Sequence, residues 1–432
     1  MAYVIIGNSA AGLFAAEAIR QHDREQPLII ISDEPYPAYS RCLTSYYIGG
    51  QVTEQQMYLR PHDFYQRLGI DLQLNQKVIG VDLDKKQVVT QKGDAFSYTK
   101  LLVASGASPQ MPNIPGIDSR GVFGLRTLDD AKAIAARATK GKQAVVLGGG
   151  LVSLKAAYAL CRRGVDVTVV VTSNQVMSQV LDATAAAMVE QKLTELGIKF
   201  LKGMAVSAIE ADGSNQVSGV QLACGDKLPA RLVLVGKGVR PNTGFLTESG
   251  LVKHAGDPLQ VNRQQATSVS DVYAAGDVAL SYDLAREEYR LNAIWPNATE
   301  QGMVAGANMA GATKEYPGSI SMNSAVFADL SVIAAGITRP QENDYRVLTD
   351  GNPQKGYYRK LVLADDRLVG YILAGDTSRA GLYTGLIKKR HSIKNLSELL
   401  QEKPRSWISL AGLVGTNRDN SLLHLIKFGD GT

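Results

Sequence analysis

The chain has 432 residues, 45% of them apolar and 20% charged, an ordinary globular composition with room for two to four domains. Its 46 basic residues barely exceed its 41 acidic ones, which argues against a nucleic-acid partner. No apolar run reaches the roughly 18 residues of a membrane span, so no membrane association is expected. The three cysteines, Cys42, Cys161 and Cys224, are far apart and form no C-x-x-C pair. Neither a disulfide framework nor a thiolate-held metal or iron–sulfur centre is expected, and no metal site is predicted. The opening MAYVIIGNSAAG has no positive n-region and no cleavage signal, so a reducing cytoplasm is the expected compartment.

The first predicted element is a buried parallel strand over the apolar run from Tyr3 to Ile6. It runs into Gly7-x-Ser9-x-x-Gly12, whose turn includes Ala10 and Ala11, and then into a helix. Past a second apolar strand, LIIIS, stand Asp33 and Glu34. This is a dinucleotide fingerprint: a tight turn, a small middle residue where the backbone approaches a pyrophosphate, a third small residue for helix–strand packing, and an acid for ribose hydroxyls. Next comes YSRCLTSYYIGG, Tyr39 to Gly50, with Cys42 either a redox thiol or a small packing residue. LLVASGASP, Leu101 to Pro109, contains Ala104, Ser105 and Gly106. It matches LVLVGKGVRPN, Leu232 to Asn242, which contains Gly238. Each reads as a strand that closes a nucleotide domain and crosses back.

Between these endings the fingerprint recurs as Gly148-x-Gly150-x-x-Ser153, with Leu151 and Val152 in its turn. Two copies, each in the order strand, loop, helix and strand, imply two nucleotide sites. At the position expected for the second ribose acid stands Val171, followed by Thr172 and Ser173. No carboxylate there marks NAD and no arginine marks a 2′-phosphate. Arg162 and Arg163 lie at the helix end and suit a cap. With no basic cluster after the strand, the reading leans to NAD. VSDVYAAGDVAL is a strand ending in Gly276-Asp277, a carboxylate placed to reach a ligand hydroxyl. From about Ser319 short alternating strands lead to a helix, SRAGLYTGLIKKRH, which reads as an α+β domain.

The order GxSxxG, ASGxxP, GGGxxS, GxGxRPN, AAGD resembles the two-dinucleotide-binding-domain flavoproteins, the FAD-dependent pyridine nucleotide oxidoreductases. EPYPAYSRCLTSYYI, AIWPNATEQG and GYYRKLVLADDRLVGYILAGD are most similar to NADH:rubredoxin reductases and the flavoprotein part of nitrite reductase large subunits. The resemblance implies an α/β fold of two Rossmann-like dinucleotide-binding domains plus a C-terminal α+β interface domain. The expected boundaries are 1–112 and 246–316 for the FAD domain, 113–245 for the NAD(P) domain, 317–400 for the interface domain and 401–432 for a tail. By the same resemblance FAD lies on the first fingerprint and NAD(P)H on the second. Asp277 would contact the ribityl chain, Arg41 would supply a cation to the flavin or its phosphates, and Trp295 and Asn297 would lie by the flavin pyrimidine at a helix start.

Lys155 stands where many relatives carry glutamate; it is either a snorkelling helix lysine or a cation near the nicotinamide. A C-x-x-x-x-C pair and a His–Glu dyad are both missing, and Cys161, Cys224 and the five histidines carry no motif. The implied activity is electron transfer between nicotinamide and a small acidic iron–sulfur carrier, rubredoxin or ferredoxin. The alternatives are a single-cysteine thiol, persulfide or peroxide reductase, or NADH oxidase, using Cys42, and a flavoprotein subunit of a larger redox complex. The run Lys388 to Arg390 is either a solvated helix end or a dock for the carrier. A homo-oligomer stays open.

Overall fold

The computed structural model describes residues 1–341 and 344–393. The tail expected over 401–432, and the last residues of the interface domain from 394, lie outside the described residues.

The first sheet has the parallel order Ile70–Gln73, Leu28–Ile31, Ala2–Ile6, Ala95–Val103 and Val272–Ala274. Val4, Ile5, Ile30 and Leu101 are fully or almost fully buried, as the near-continuous apolar runs of a sheet covered on both faces require. Val272–Ala274 pairs with Leu101–Val103 although the whole second domain lies between them in the chain. The second sheet is also parallel, in the order Lys199–Lys202, Asp166–Val171, Gln143–Leu147, Leu232–Val235 and Val122–Gly124. The two strand–glycine–proline endings pair with each other: Ala107–Pro109 runs antiparallel to Val239–Pro241. This ribbon joins the domains, and Asn242 locks it by donating from Nδ2 to the Ser105 carbonyl (3.0 Å) and accepting from Ser108 (2.7 Å).

The C-terminal sheet is antiparallel, in the order Met322–Phe327, Leu330–Gly336, Arg367–Ala374, Tyr357–Ala364 and Tyr345–Asn352. The helix Ala380–Lys389 packs on it through Tyr383, whose ring centroid is 5.5 Å from that of Tyr371. One face of this sheet, with Phe327, Val332, Ala334 and Ile372, shares a core with the second nucleotide domain. Ile48, from the Tyr39–Gly50 stretch, is fully buried in the same core. That stretch is therefore fixed by two domains besides its own.

The long helix Trp295–Met309 crosses the first fingerprint helix, Ala10–His22. A Cβ on Gly302 would collide with the Ala11 backbone, and one on Gly306 with the Ala15 backbone. The two helices thus touch backbone to backbone through a G-x-x-x-G face, a contact that only glycine permits here.

Candidate functional site

The first fingerprint is built as its spacing requires. Gly7 has φ +113°, and a Cβ there or on Gly12 would strike the Ala104 or Gly7 carbonyl, respectively. The turn therefore lies flat against Ala104 and exposes the N-terminus of Ala10–His22, whose capping residue Ser9 makes no side-chain cap. Free N–H groups at a helix start form an anion site. The Nδ2 of Asn8 is buried beside this turn with no protein partner, while its Oδ1 accepts from Tyr65 at 2.9 Å. A cradle closed to Cβ atoms and an unpartnered donor both fit a dinucleotide phosphate.

Arg41 reaches this turn. Its Nε donates to Ser9 Oγ (3.2 Å), its Nη1 to Tyr39 Oη (3.1 Å) and to the Arg126 carbonyl (3.0 Å), and its Nη2 pairs with Glu34. The side chains of Arg41 and Glu34 are 22% and 14% exposed. Burial works against the charge, yet Tyr39 and Glu34 more than offset it and hold the guanidinium pKa above its ordinary value. Tyr39 donates to Glu34 (2.6 Å) and accepts from the Leu128 N–H (2.8 Å); burial pushes its phenol well above the usual range. Glu34 is thus bonded to both Arg41 and Tyr39, whereas Asp33 stays exposed.

Gly276, with φ +83°, sits where the two helices cross: a Cβ on it would lie 3.2 Å from Ala11 Cβ and 3.6 Å from Ala298 Cβ. Its N–H donates to Gln301 Oε1 (2.7 Å), and Gln301 Nε2 donates to Ser281 (3.0 Å). Gln301 is a buried positioning residue that the sequence reading missed. Asp277, next in the chain, pairs with Arg126 at 2.7 Å. Arg126 was also missed. It comes from the second domain, just before the helix Leu128–Arg137, whose capping box is formed by Thr127 and Asp130. Asp277 and Arg126 are both close enough to Cys42 to act on its thiol, so the Asp277 turn and the Tyr39–Gly50 stretch share one cleft.

Two of the expected cofactor contacts have side chains bonded within the protein. Asn297 is buried, and its Nδ2 donates to the carbonyls of Asn292 (3.3 Å) and Ile320 (3.2 Å), so its amide nitrogen is not free for a cofactor. Ser105 donates to the Asn242 carbonyl (2.7 Å), which places its hydroxyl in the inter-domain ribbon. Gly238 belongs to the same ribbon, its carbonyl accepting from Gln110. Trp295 is half-buried against the core of the first domain, at the start of a helix carrying Pro296 in its first turn.

At the second fingerprint, Gly148 has φ +110° and backs onto the Gly236 carbonyl. Ser153, which replaces the third glycine, is 2% exposed and donates to that carbonyl at 3.2 Å. A Cβ on Gly236 would overlap the Ser153 hydroxyl, so the missing glycine has moved across to the neighbouring strand end. Leu151 is half-buried and Val152 is 51% exposed at the helix start, while Gly150 caps the helix. Val171 is 3% exposed and packs against Gly149; its side chain is not available to a ribose, and Thr172 is the first exposed residue.

Lys155 lies where three segments meet. Its Nζ stands 4.2 Å from the Tyr46 ring centroid, 5.8 Å from that of Phe327 and 5.9 Å from that of Tyr158, and donates to the Val326 carbonyl at 3.3 Å. This aromatic cage holds a cation between the second fingerprint helix and the stretch that carries Cys42. Cys42 itself is open to the cleft, but burial raises its thiol pKa above the ordinary 9.0. In the basic run, Lys388 pairs with Glu300 (2.6 Å) and Arg390 with Glu287, so two of its three cations tie the C-terminal helix to the first domain. Among the described residues no group of acids, histidines and cysteines could hold a metal, and no helix is long and apolar enough to cross a membrane.

The sequence profile described as pyridine nucleotide-disulphide oxidoreductase matches residues 1–302, and that of the rubredoxin NAD+ reductase C-terminal domain matches residues 322–391. The chain is 34% identical over 405 residues to the NADH-dependent phenylglyoxylate dehydrogenase subunit epsilon of Aromatoleum evansii, covering 93% of this chain and 95% of that one. It is 31% identical over 319 residues to the rubredoxin-NAD(+) reductase of Pseudomonas putida, covering 73% and 82%. A solved NAD-dependent persulfide reductase from A. fulgidus superposes with a TM-score of 0.85 at 27% identity, covering 92% of this chain and 79% of that one.

Proposed function

This chain belongs to the pyridine nucleotide-disulphide oxidoreductase family, and from that premise we propose that it moves electrons between a nicotinamide nucleotide and a small acidic iron–sulfur carrier of the rubredoxin or ferredoxin type. It is an NAD(P)H-dependent flavin oxidoreductase, with FAD and NAD(P)H as its cofactors. The chemistry that bound FAD supplies is the exchange of a two-electron hydride for single electrons. The chain supplies position and charge. The Gly7–Gly12 turn takes phosphates at a helix start, Arg41 sets a fixed cation beside Ser9, and Asp277 presents a carboxylate over the cleft. The start of Trp295–Met309 turns a helix N-terminus toward the same cleft.

The observation that carries this reading is the match of residues 322–391 to the rubredoxin NAD+ reductase C-terminal domain, and the setting of Cys42 agrees with it. Burial pushes the Cys42 thiol up, and a thiol raised in this way makes a poorer nucleophile. Cys161 and Cys224 stand elsewhere in the chain. A chain without a reactive thiol at this site would suit a one-electron carrier and would disfavour the thiol, persulfide and peroxide reductase and NADH oxidase reading. Cys42→Ser is expected to keep NADH-driven rubredoxin or ferredoxin reduction within about twofold of the parent. The rate of Cys42 alkylation should keep climbing as the pH is raised past 9.0. A long-wavelength thiolate–flavin band during anaerobic NADH titration, lost in Cys42→Ser, would sink the proposal.

A second reading keeps the chemistry and changes the acceptor to a partner redox subunit. The name of the Aromatoleum evansii relative, a dehydrogenase subunit matched over 95% of its length, favours it. Gel filtration of a cell extract separates the two, because a subunit elutes with its complex.

Lys155 is proposed as the cation of the nicotinamide side. Lys155→Glu should lower the flavin midpoint potential by tens of millivolts, since about 30 mV in a two-electron couple corresponds to about 1.4 kcal/mol. An unchanged potential, measured by dye-coupled titration, would return Lys155 to a packing role.

A further inference from the structure

The strand Asp166–Val171 ends beside the second fingerprint turn: a Cβ on Gly149 would lie 2.9 Å from Val171 Cγ1, and the Met177 N–H donates to the Gly149 carbonyl at 2.7 Å. Residues 171–177 therefore form the wall next to the phosphate turn, where the adenosine ribose of a dinucleotide rests. From Val167 to Leu181 the chain has no ionisable side chain. The Ser173 hydroxyl is committed to the Gln175 carbonyl at 2.7 Å.

Three charged residues bordering this wall, Lys202, Asp182 and Arg339, are already bonded to partners. Lys202, in register with Val171, is held by Glu190 at 2.7 Å. Asp182 accepts from the Ala185 N–H (3.1 Å) and from Tyr358 (2.7 Å) and pairs with Lys360 (3.3 Å). Arg339 donates to the Ser178 carbonyl. Residues 171–181 thus offer neither a carboxylate that would bond a ribose 2′-hydroxyl and repel a 2′-phosphate, nor a cation that would bind that phosphate. Discrimination needs one of these attractive or repulsive elements. Thr172 and Asn174 are exposed, neutral and able to donate to a hydroxyl or a phosphate alike.

Resting on the reading that this domain takes the nicotinamide nucleotide, we infer that the chain uses NADH and NADPH with comparable affinity, and that residues 171–174 are its specificity-determining turn. The test is calorimetric titration of the FAD-loaded protein with NAD+, NADP+, 5′-AMP and 2′,5′-ADP. The two dissociation constants within each pair should agree within about tenfold. Thr172→Arg should tighten 2′,5′-ADP about tenfold and leave 5′-AMP unchanged. Val171→Asp should weaken NADP+ about tenfold against NAD+; because Val171 is buried, Thr172→Arg carries the test if that variant does not fold. A parent preference beyond about a hundredfold, or no response of 2′,5′-ADP to Thr172→Arg, overturns the inference and leaves the nucleotide reading standing. Failure of all four ligands to bind overturns both.

Discussion

An Arg41→Ala chain should emerge from purification with little FAD and a lowered melting temperature. The two effects have one cause. Arg41 bonds Ser9 in the phosphate turn, Tyr39 in its own stretch and the Arg126 carbonyl in the second domain, and it neutralises Glu34. Removing it leaves a mostly buried carboxylate without its counter-charge, bonded still by the Tyr39 hydroxyl. Breaking a fully buried pair costs about 3–5 kcal/mol; because both side chains keep some exposure, about 2 kcal/mol is expected here. The lost cation also removes a charge-assisted partner for a phosphate or flavin. Arg41→Lys keeps the charge but cannot reproduce a fork with four partners, so it should recover the melting temperature in part and FAD less well. Flavin absorbance per chain and a thermal melt read the two. Full FAD occupancy in Arg41→Ala would remove Arg41 from the site.

The second large effect comes from one methyl group. Gly302→Ala puts a Cβ into the Ala11 backbone, and Gly306→Ala puts one into the Ala15 backbone one turn further along. Each forces two helices apart where neither side can yield, so each should cost about 1–3 kcal/mol or more. The functional consequences differ. Ala11 lies in the fingerprint turn and beside Gly276, whereas Ala15 is a full turn away. Gly302→Ala should lose stability and FAD together; Gly306→Ala should lose stability and keep FAD at low temperature. Equal FAD loss in both variants would mean that the crossing serves packing alone.

Both fingerprints were legible because each is a contiguous run whose spacing directly encodes strand, turn and helix. The two strand–glycine–proline endings stood out for the same reason, but nothing in either run said that they would pair with each other. What could not be read depends on residues that meet only in three dimensions. Arg126 and Asp277 are 151 positions apart, and nothing around Arg126 marks it except the capping box that follows. Ser153 reads as a flaw in the fingerprint until Gly236 is seen beside it. The cage of Lys155 draws on residues 46, 158 and 327, from three separate parts of the chain. What the Asn297 side chain bonds could not be read, because its position at a helix start says nothing of the two carbonyls that face it. The G-x-x-x-G of Gly302 and Gly306 was passed over in the sequence, because a close-approach face shows itself only beside its partner helix.

The pairing of Val272–Ala274 with Leu101–Val103 also orders events during synthesis. Every strand of the second sheet lies between residues 122 and 235, so that sheet can close as soon as its own residues are available. The first sheet begins at residue 2 but lacks its last parallel strand until residue 274, and its fingerprint helix has no crossing partner before residue 309. Of the two parallel sheets, the one begun first is thus the one finished last. During that interval the small-residue face of Ala10–His22 has nothing to cover it, which exposes the first nucleotide domain to misassembly while it is being made.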